Sequence, residues 1–425
     1  MEQTMTRGIT FPASYTAPRL KLRFPSKEAY WAARSMETDV LNTRVADDER
    51  LTISVSAPPK VVSALRGGVS ITAEELANRA DMPTTLSALA ANYGAVIQED
   101  FRFDLEQTDV FAAEAMEAPA GTEPSLPDVL RRINLNSTSS GDGTGVAIAV
   151  VDTGITGTRP EFVNRSSSSW APRSENAWKD WAGHGTMCAT IAAASDIKGG
   201  TFRGIAPGAE IIACRTYFFD TELTAIYTML RDLARDGKRI VATNSYGFNT
   251  GTPPAPPATT LIAALEEAID AGVFVVFSAG NNHEFAGGHP DACNPNSIWQ
   301  YKCRADVLSV GTCKLDGRMW EYSSRGPGEF HGQPGMATKP DVIAPTPENG
   351  VILFGSVPLA LRRGWGTSGA APQVAGLAAL LWSRKPAATA ADLRDMILET
   401  AEKLGNASTC EGAGMINCGG ALGKV

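Results

Sequence analysis

Gly366-Thr367-Ser368-Gly369-Ala370-Ala371-Pro372 opens the apolar run Val374-Ala375-Gly376-Leu377-Ala378-Ala379-Leu380-Leu381-Trp382. Small residues giving way to a Leu/Ala-rich run predict a tight turn that feeds a buried helix, with Ser368 at the N-terminal end. A hydroxyl placed there stands beside backbone N–H groups without intrahelical partners and beside the positive end of the helix dipole. Those groups suit an oxyanion forming next to the hydroxyl, so the position fits a nucleophile. Serine is equally a favoured helix cap, and this stretch alone leaves both readings open.

The segments upstream supply the frame for that helix. Gly145-Val146-Ala147-Ile148-Ala149-Val150-Val151 is a continuous apolar strand, and such a strand is buried on both faces, which points to a parallel sheet under helices. Ile211 to Cys214, Ile240 to Thr243, Val273 to Phe277 and Val307 to Val310 repeat the pattern. Helical stretches separate them, most clearly Thr221 to Asp236 and Thr260 to Ala271. A β-α-β-α order predicts an α/β fold with a doubly wound, mostly parallel sheet, whose ligands bind beyond the carboxyl ends of the strands.

A smaller unit precedes it. Residues 1–18 read as a loose arm. Arg19 to Phe24 and Arg50 to Val55 alternate as strands, with a helix from Lys27 to about Met36 between them, capped by Ser26. Thr72-Ala73-Glu74-Glu75 opens a further helix, and Leu86 to Asn92 with Ala95 to Phe103 form a last helix-strand pair. Residues 19–111 are thus a small N-terminal α+β domain, 112–127 an Ala/Glu/Pro/Gly linker, and 128–425 the large domain.

Composition narrows the function. The chain has 425 residues, 43% of them hydrophobic, and a formal net charge of -8. Its pI near 5.2 argues against a nucleic-acid partner, which requires clustered Lys and Arg. No run is long and apolar enough for a membrane span, and Met1 to Thr10 lacks the apolar core of a secretory signal, so the expectation is a cytoplasmic protein. Seven scattered cysteines make no dense disulfide framework. Cys293 with Cys303, and Cys410 with Cys418, are spaced to close short loops under oxidising conditions.

Chemistry-bearing residues fall at the predicted strand ends. The strand ending at Val151 runs into Asp152-Thr153-Gly154, which sets a carboxylate at the sheet edge. Gly183-His184-Gly185-Thr186 opens a helical run, and a helix N-terminus disfavours the imidazolium and keeps the ring available as a base. Ser278-Ala279-Gly280-Asn281-Asn282 follows another strand, where a side-chain amide can donate to developing negative charge. Asn244-Ser245-Tyr246-Gly247 reads as exposed extended backbone beside the site, able to pair with a peptide by strand addition.

Asp, His and Ser in this order reproduce one of the known chain orders of a Ser-His-Asp triad. Together, Asp152-Thr153-Gly154, His184-Gly185-Thr186, Ser245-Tyr246-Gly247, Ala279-Gly280-Asn281 and Gly366-Thr367-Ser368 resemble the motifs of the subtilisin-like serine peptidases, over about residues 128 to 404. The resemblance implies a subtilisin-like fold and hydrolysis of peptide bonds in peptide or protein substrates. It implies that Ser368 is the nucleophile, that His184 is general base and then acid, and that Asp152 fixes the imidazole tautomer. Asn281 and the Ser368 N–H then form the oxyanion hole, and Ser245, Tyr246, Gly247, Ala279 and Gly280 bind substrate. The chemistry requires no cofactor. Structural calcium in surface loops also follows from the family likeness, with Glu161 where a ligand is often aspartate, but no ligand set is readable and the metal stays unknown.

By position and pattern the N-terminal unit is similar to the family's propeptide, an inhibitor and intramolecular chaperone. Self-processing is then expected, with the segment from Ala112 to Pro127 lying in the cleft. Gly369 stands where the family usually has methionine, which is expected to loosen the turn that aims Ser368. A Gly-x-Ser-x-Gly esterase elbow fails because Ala370 replaces the final glycine. Zinc held by Cys293, Cys303 and His283 or His289 is a weaker reading, since the spacing matches no tight ligand pair. The alternative of a different class is a catalytically silent scaffold that keeps the fold for binding; retention of Asp152, His184, Asn281 and Ser368 together speaks against it.

Overall fold

The computed structural model describes residues 17–35, 43–57, 88, 92–105, 115–119, 121–135, 141–251, 260–328 and 338–425. The expected helix at Thr72, most of the arm 1–18 and most of the segment 86–92 lie outside the described residues.

The first strands are β1 (Arg19–Arg23), β2 (Thr43–Asp47), β3 (Thr52–Ser56) and β4 (Val96–Glu99), with helix α1 (Lys27–Ser35) after β1. They form an antiparallel sheet in the order β2-β3-β1-β4. Leu20, Leu22, Ile53, Val55 and Ile97 alternate onto one face and bury against Phe24 and Tyr30, a compact apolar cluster of their own. This is the small N-terminal antiparallel region that the alternating patterns predict.

The chain continues through β5 (Asp104–Leu105), β6 (Ala115–Glu117) and helix α2 (Leu126–Arg132) into the large sheet. There β7 (Ala147–Asp152), β8 (Ser166–Trp170), β9 (Glu210–Arg215), β10 (Ile240–Asn244), β12 (Phe274–Ser278), β13 (Leu308–Cys313) and β14 (Val342–Pro345) run parallel. Their order is β14-β13-β12-β10-β7-β9-β8. The short β11 (Tyr246–Gly247) follows β10, and β15 (Gly350–Phe354) with β16 (Val357–Leu361) forms a hairpin.

Helices cover both faces. On one side α3 (His184–Ala193) and α6 (Gly366–Arg384) pack with Ile148, Val150, Val276 and Val310. On the other, α4 (Asp220–Arg235) and α5 (Leu261–Asp270) pack with Ala149, Val151, Ala242 and Phe277. Both faces of β7 are therefore dry, which is why its sequence reads as an unbroken apolar run.

Buried ion pairs join the N-terminal sheet to α4. Arg19 meets Glu222 at 2.6 Å and Lys21 meets Asp220 at 2.7 Å, all four side chains being almost fully buried. Asp100, just past β4, accepts from the Thr221 N–H at 3.2 Å and from its hydroxyl at 2.7 Å. Phe219, at the N-cap of α4, has no polar side chain, so a carboxylate from the N-terminal region caps this helix instead. Asp220 in turn accepts from the N–H groups of Thr260 and Leu261, both at 3.1 Å, at the start of α5.

Within the Ala112 to Pro127 stretch, Ala115–Glu117 pair with Leu359–Leu361 as a third strand on the β15–β16 hairpin. The segment paired with Tyr246–Gly247 is Asp104–Leu105. Neither short loop closes on itself, because Cys293 is bridged to Cys410 across 117 residues while Cys303 and Cys418 are buried thiols. The bridge also removes Cys293 as a zinc ligand.

Candidate active site

Asp152 ends β7 and His184 begins α3, and the two meet: His184 Nδ1 lies 2.8 Å from Asp152 Oδ1, both side chains about 1% exposed. A carboxylate can only accept, so Nδ1 carries the proton and the basic lone pair is left on Nε2. The Thr153 N–H also donates to Asp152 Oδ1 at 2.8 Å. Gly185 is where this packing is tightest. A Cβ there would come within 2.2 Å of the Gly154 carbonyl and 3.1 Å of Asp152 Cβ, so only glycine lets α3 approach the Asp152 turn so closely.

Ser368 is the third residue of α6 and fully buried. Among the described residues its Oγ has no hydrogen-bond partner. Pro372 lies four residues on and lacks the N–H that would close the helical bond to the Ser368 carbonyl. That carbonyl instead accepts from Ser245 Oγ at 3.4 Å and faces Cys188 Sγ at 3.5 Å. Cys188 Sγ also lies 3.9 Å from His184 Nδ1, so one sulfur touches both His184 and Ser368.

Gly369 does not loosen this turn. It sits inside α6 with its N–H donating to the Trp365 carbonyl at 2.9 Å, and a Cβ there would approach Trp365 Cβ to 2.3 Å. The glycine makes room for an indole that is itself pinned by a 3.1 Å bond from Nε1 to the Gly350 carbonyl. A methionine at 369 would have to displace Trp365.

Asn281 follows β12 and Gly280, whose φ of 113° is open only to glycine. Its Oδ1 accepts from the Thr367 N–H at 3.1 Å and from the Thr367 hydroxyl at 3.0 Å. A backbone N–H can only donate, so the oxygen of the amide must face Thr367 and the NH2 group must face the other way. That Nδ2 is buried and, among the described residues, has no partner. Thr367 was silent in the sequence, yet it decides which way the amide points.

The expected substrate-binding residues divide. Ser245 touches the Ser368 carbonyl. Gly280 gives its N–H to Thr367 Oγ1 and accepts at its carbonyl from Ser324, and Ala279 gives its N–H to Val310, so these donors are already engaged. Ser245, Tyr246 and Gly247 are buried, contrary to the reading of exposed backbone, and the chain's own Leu105 and Asp104 pair antiparallel with Tyr246 and Gly247. Phe103 is held there too. Its N–H donates to the Phe218 carbonyl at 2.8 Å, and its ring sits 5.5 Å from Phe248, 5.5 Å from Tyr301 and 6.1 Å from Tyr246.

Glu161 does not fit a calcium ligand as folded. Its carboxylate, wholly buried, accepts from Arg159 at 3.2 Å through both oxygens and from the Thr201 N–H at 2.9 Å, so a guanidinium fills the place a cation would take. Cys188 is one helical turn after His184, and burial pushes its thiol well above the usual range. A mercurial or bulky disulfide reagent that does reach it has no free volume and must displace His184. Stoichiometric modification of Cys188 is expected to abolish activity, while Cys188→Ala protein survives the same treatment; full activity of the modified wild type would exclude this packing role.

Residues 143–415 match the model of the subtilase family. Subtilisin E of Bacillus subtilis (strain 168) is 31% identical over 281 residues, which is 65% of this chain and 65% of the relative, so the chain spans just under two thirds of that protein's length. Subtilisin BL of Lederbergia lenta is 30% identical over 278 residues, 65% of this chain and 90% of the relative. Among solved structures, fervidolysin from Fervidobacterium pennivorans, a keratinolytic enzyme related to subtilisin, superposes with a TM-score of 0.61 at 19% identity. That match covers 96% of this chain and 61% of fervidolysin. MycP1 from Mycobacterium smegmatis gives 0.54 at 23% identity over 73% of this chain and 88% of its own. These two likenesses concern the fold, which is subtilisin-like. With a seven-stranded parallel sheet, the Asp152–His184 pair at its edge and a family match over well over half its residues, this chain belongs to the subtilase family.

Proposed function

We propose that this chain is a serine endopeptidase that works through an acyl-enzyme and is made as a self-restrained precursor. The observation that carries the reading is the 2.8 Å bond between Asp152 Oδ1 and His184 Nδ1, which leaves Nε2 as base. In this reading Ser368 Oγ attacks the scissile carbonyl carbon while His184 Nε2 takes its proton. Charge then develops on the carbonyl oxygen, where the Asn281 NH2 and the Ser368 N–H donate to it. His184 returns the proton to the leaving amine, and water, activated by the same imidazole, releases the acyl group. Asp152 stays ionised and stabilises the imidazolium. None of these steps requires a metal or cofactor.

Restraint rests on a second observation. A peptide substrate that adds as a strand would pair with Tyr246–Gly247, and Asp104–Leu105 already do so, with Phe103 buried in an aromatic pocket. The strand runs antiparallel, from Gly247 towards Ser245, and Ser245 touches the Ser368 carbonyl. The N-terminal region is then the chain's own inhibitor.

A serine-directed fluorophosphonate probe tests the function. Labelling of the wild type that is lost in Ser368→Ala supports the peptidase, whereas no labelling of freshly folded protein favours a silent scaffold. Restraint is tested at Phe103. Emptying the pocket in Phe103→Ala is expected to raise the initial rate on an added peptide by about tenfold, since a buried phenyl ring contributes most to holding the strand. Phe103→Leu, which keeps most of the apolar volume, is expected to show a smaller rise. Equal initial rates in all three proteins would mean that this strand does not block the site.

A further inference from the structure

Asp180 lies four residues before His184, in the turn that leads into α3, and it joins the two segments that carry the acid and the base. Its Oδ1 accepts from the Thr153 hydroxyl at 2.7 Å, the Ala182 N–H at 3.0 Å and the Gly183 N–H at 2.7 Å. Its Oδ2 accepts from the Thr186 N–H at 2.8 Å and the Thr186 hydroxyl at 2.6 Å. Thr153 directly follows Asp152, and Ala182, Gly183 and Thr186 flank His184. The links extend further. Thr153 Oγ1, having given its proton to Asp180, accepts from the Gly185 N–H at 2.9 Å, and Thr186 Oγ1 accepts from the Thr156 N–H at 3.0 Å.

Both oxygens of Asp180 face backbone N–H groups, which can only donate, so each oxygen serves as an acceptor. Burial pushes its carboxyl up, and the hydroxyls of Thr186 and Thr153 act against that. The contact at Gly185 leaves no slack between α3 and the Asp152 turn, so a change in their register passes directly to the Asp152–His184 bond.

We propose that Asp180 is a positioning residue for the Asp152–His184 pair: it fixes the register of the β7 turn against the start of α3 so that the imidazole Nδ1–H meets Asp152 Oδ1. It touches neither side chain of the pair and acts through Thr153, Gly183 and Thr186. The assignment rests on the peptidase reading for its kinetic consequence, but its structural content is independent of that reading.

Asp180→Asn tests it, because an amide keeps the shape but presents an NH2 to donors on one side. The expected result is a kcat lower by about 10- to 100-fold with KM changed less than about threefold, since misplacement of a bound reactive group costs rate more than binding. The downfield proton resonance of the His184 Nδ1–H, identified by its absence in His184→Ala, is expected to shift upfield or broaden away. Asp392→Asn is the control. That residue completes the capping box of the remote helix α7 (Ala390–Thr400), so its loss costs stability without reaching the pair. The control is expected to keep both kcat and the resonance.

The resonance is read in the Ser368→Ala background as well. If the wild type hydrolyses no peptide, the peptidase reading fails while the resonance still decides the role of Asp180. An unshifted resonance in Asp180→Asn, a wild type without such a resonance, or an equal effect in Asp392→Asn overturns the proposal.

Discussion

Ser368→Ala is expected to lower kcat on a peptide substrate by about six orders of magnitude, to abolish fluorophosphonate labelling and to leave the chain full length. The figure is the one measured on subtilisin itself, a relative of this chain, where the nucleophile and base fail together as a unit. The site explains why no neighbour can substitute. The Cys188 thiol touches both His184 and Ser368, but burial raises it far from the thiolate form, and its sulfur faces the Ser368 carbonyl instead of open space. Ser245 Oγ donates to that same carbonyl. The same logic sets the double variant: Ser368→Ala with His184→Ala is expected to be no slower than either alone, because each removes the same attack step. A Ser368→Ala protein retaining even about 1% of the wild-type rate would show that another group is the nucleophile.

The sheet was legible because its strands are buried on both faces, which turns β7 and β12 into short apolar runs rich in Val, Ile and Phe, in contrast to the longer Ala/Leu-rich run of α6. Asp152 and Asn281 were legible for a related reason: each leaves such a run at its carboxyl end, the edge where a parallel sheet exposes polar groups. By contrast β8, Ser166–Trp170, carries no apolar pattern, because an edge strand needs none, and it went unread. The pairing of Asp104–Leu105 with Tyr246–Gly247 was equally hidden. Two residues are too few for a period, and their partner lies far along the chain. Long-range partnerships of single atoms leave still less trace. Thr367 reads as a helix-start residue until its donor is seen on Asn281, and Gly369 reads as looseness until Trp365 is seen against it. Asp180 had a weak signal, an aspartate two and three residues before backbone donors at a helix start, which is the pattern of a local side-chain turn.

Asn281→Ala is expected to lower kcat by about 10²–10³ with little change in KM, the magnitude measured when the oxyanion-hole asparagine of subtilisin, a relative of this chain, is removed. What the fold adds is the reason the amide is ready before substrate arrives. Thr367 holds Oδ1 by two bonds, at 3.1 Å and 3.0 Å, so the NH2 cannot turn away. Its donor is buried with no protein partner among the described residues, so it is free to donate to an acceptor that forms beside it. A ground-state carbonyl oxygen makes a weak acceptor there and an oxyanion a strong one, so the gain falls on the transition state and appears in kcat. Two further variants separate this from simple loss of packing. Asn281→Asp keeps an oxygen on Thr367 but places a second carboxylate oxygen where the donor stood, so it is expected to be at least as slow as alanine. Thr367→Val removes the hydroxyl bond while the backbone N–H still holds the amide, and it is expected to cost about tenfold or less. If Asn281→Ala proceeds at the wild-type rate, the NH2 group does not face the developing charge. If it raises KM by the same factor that it lowers kcat/KM, the residue binds substrate instead of the transition state.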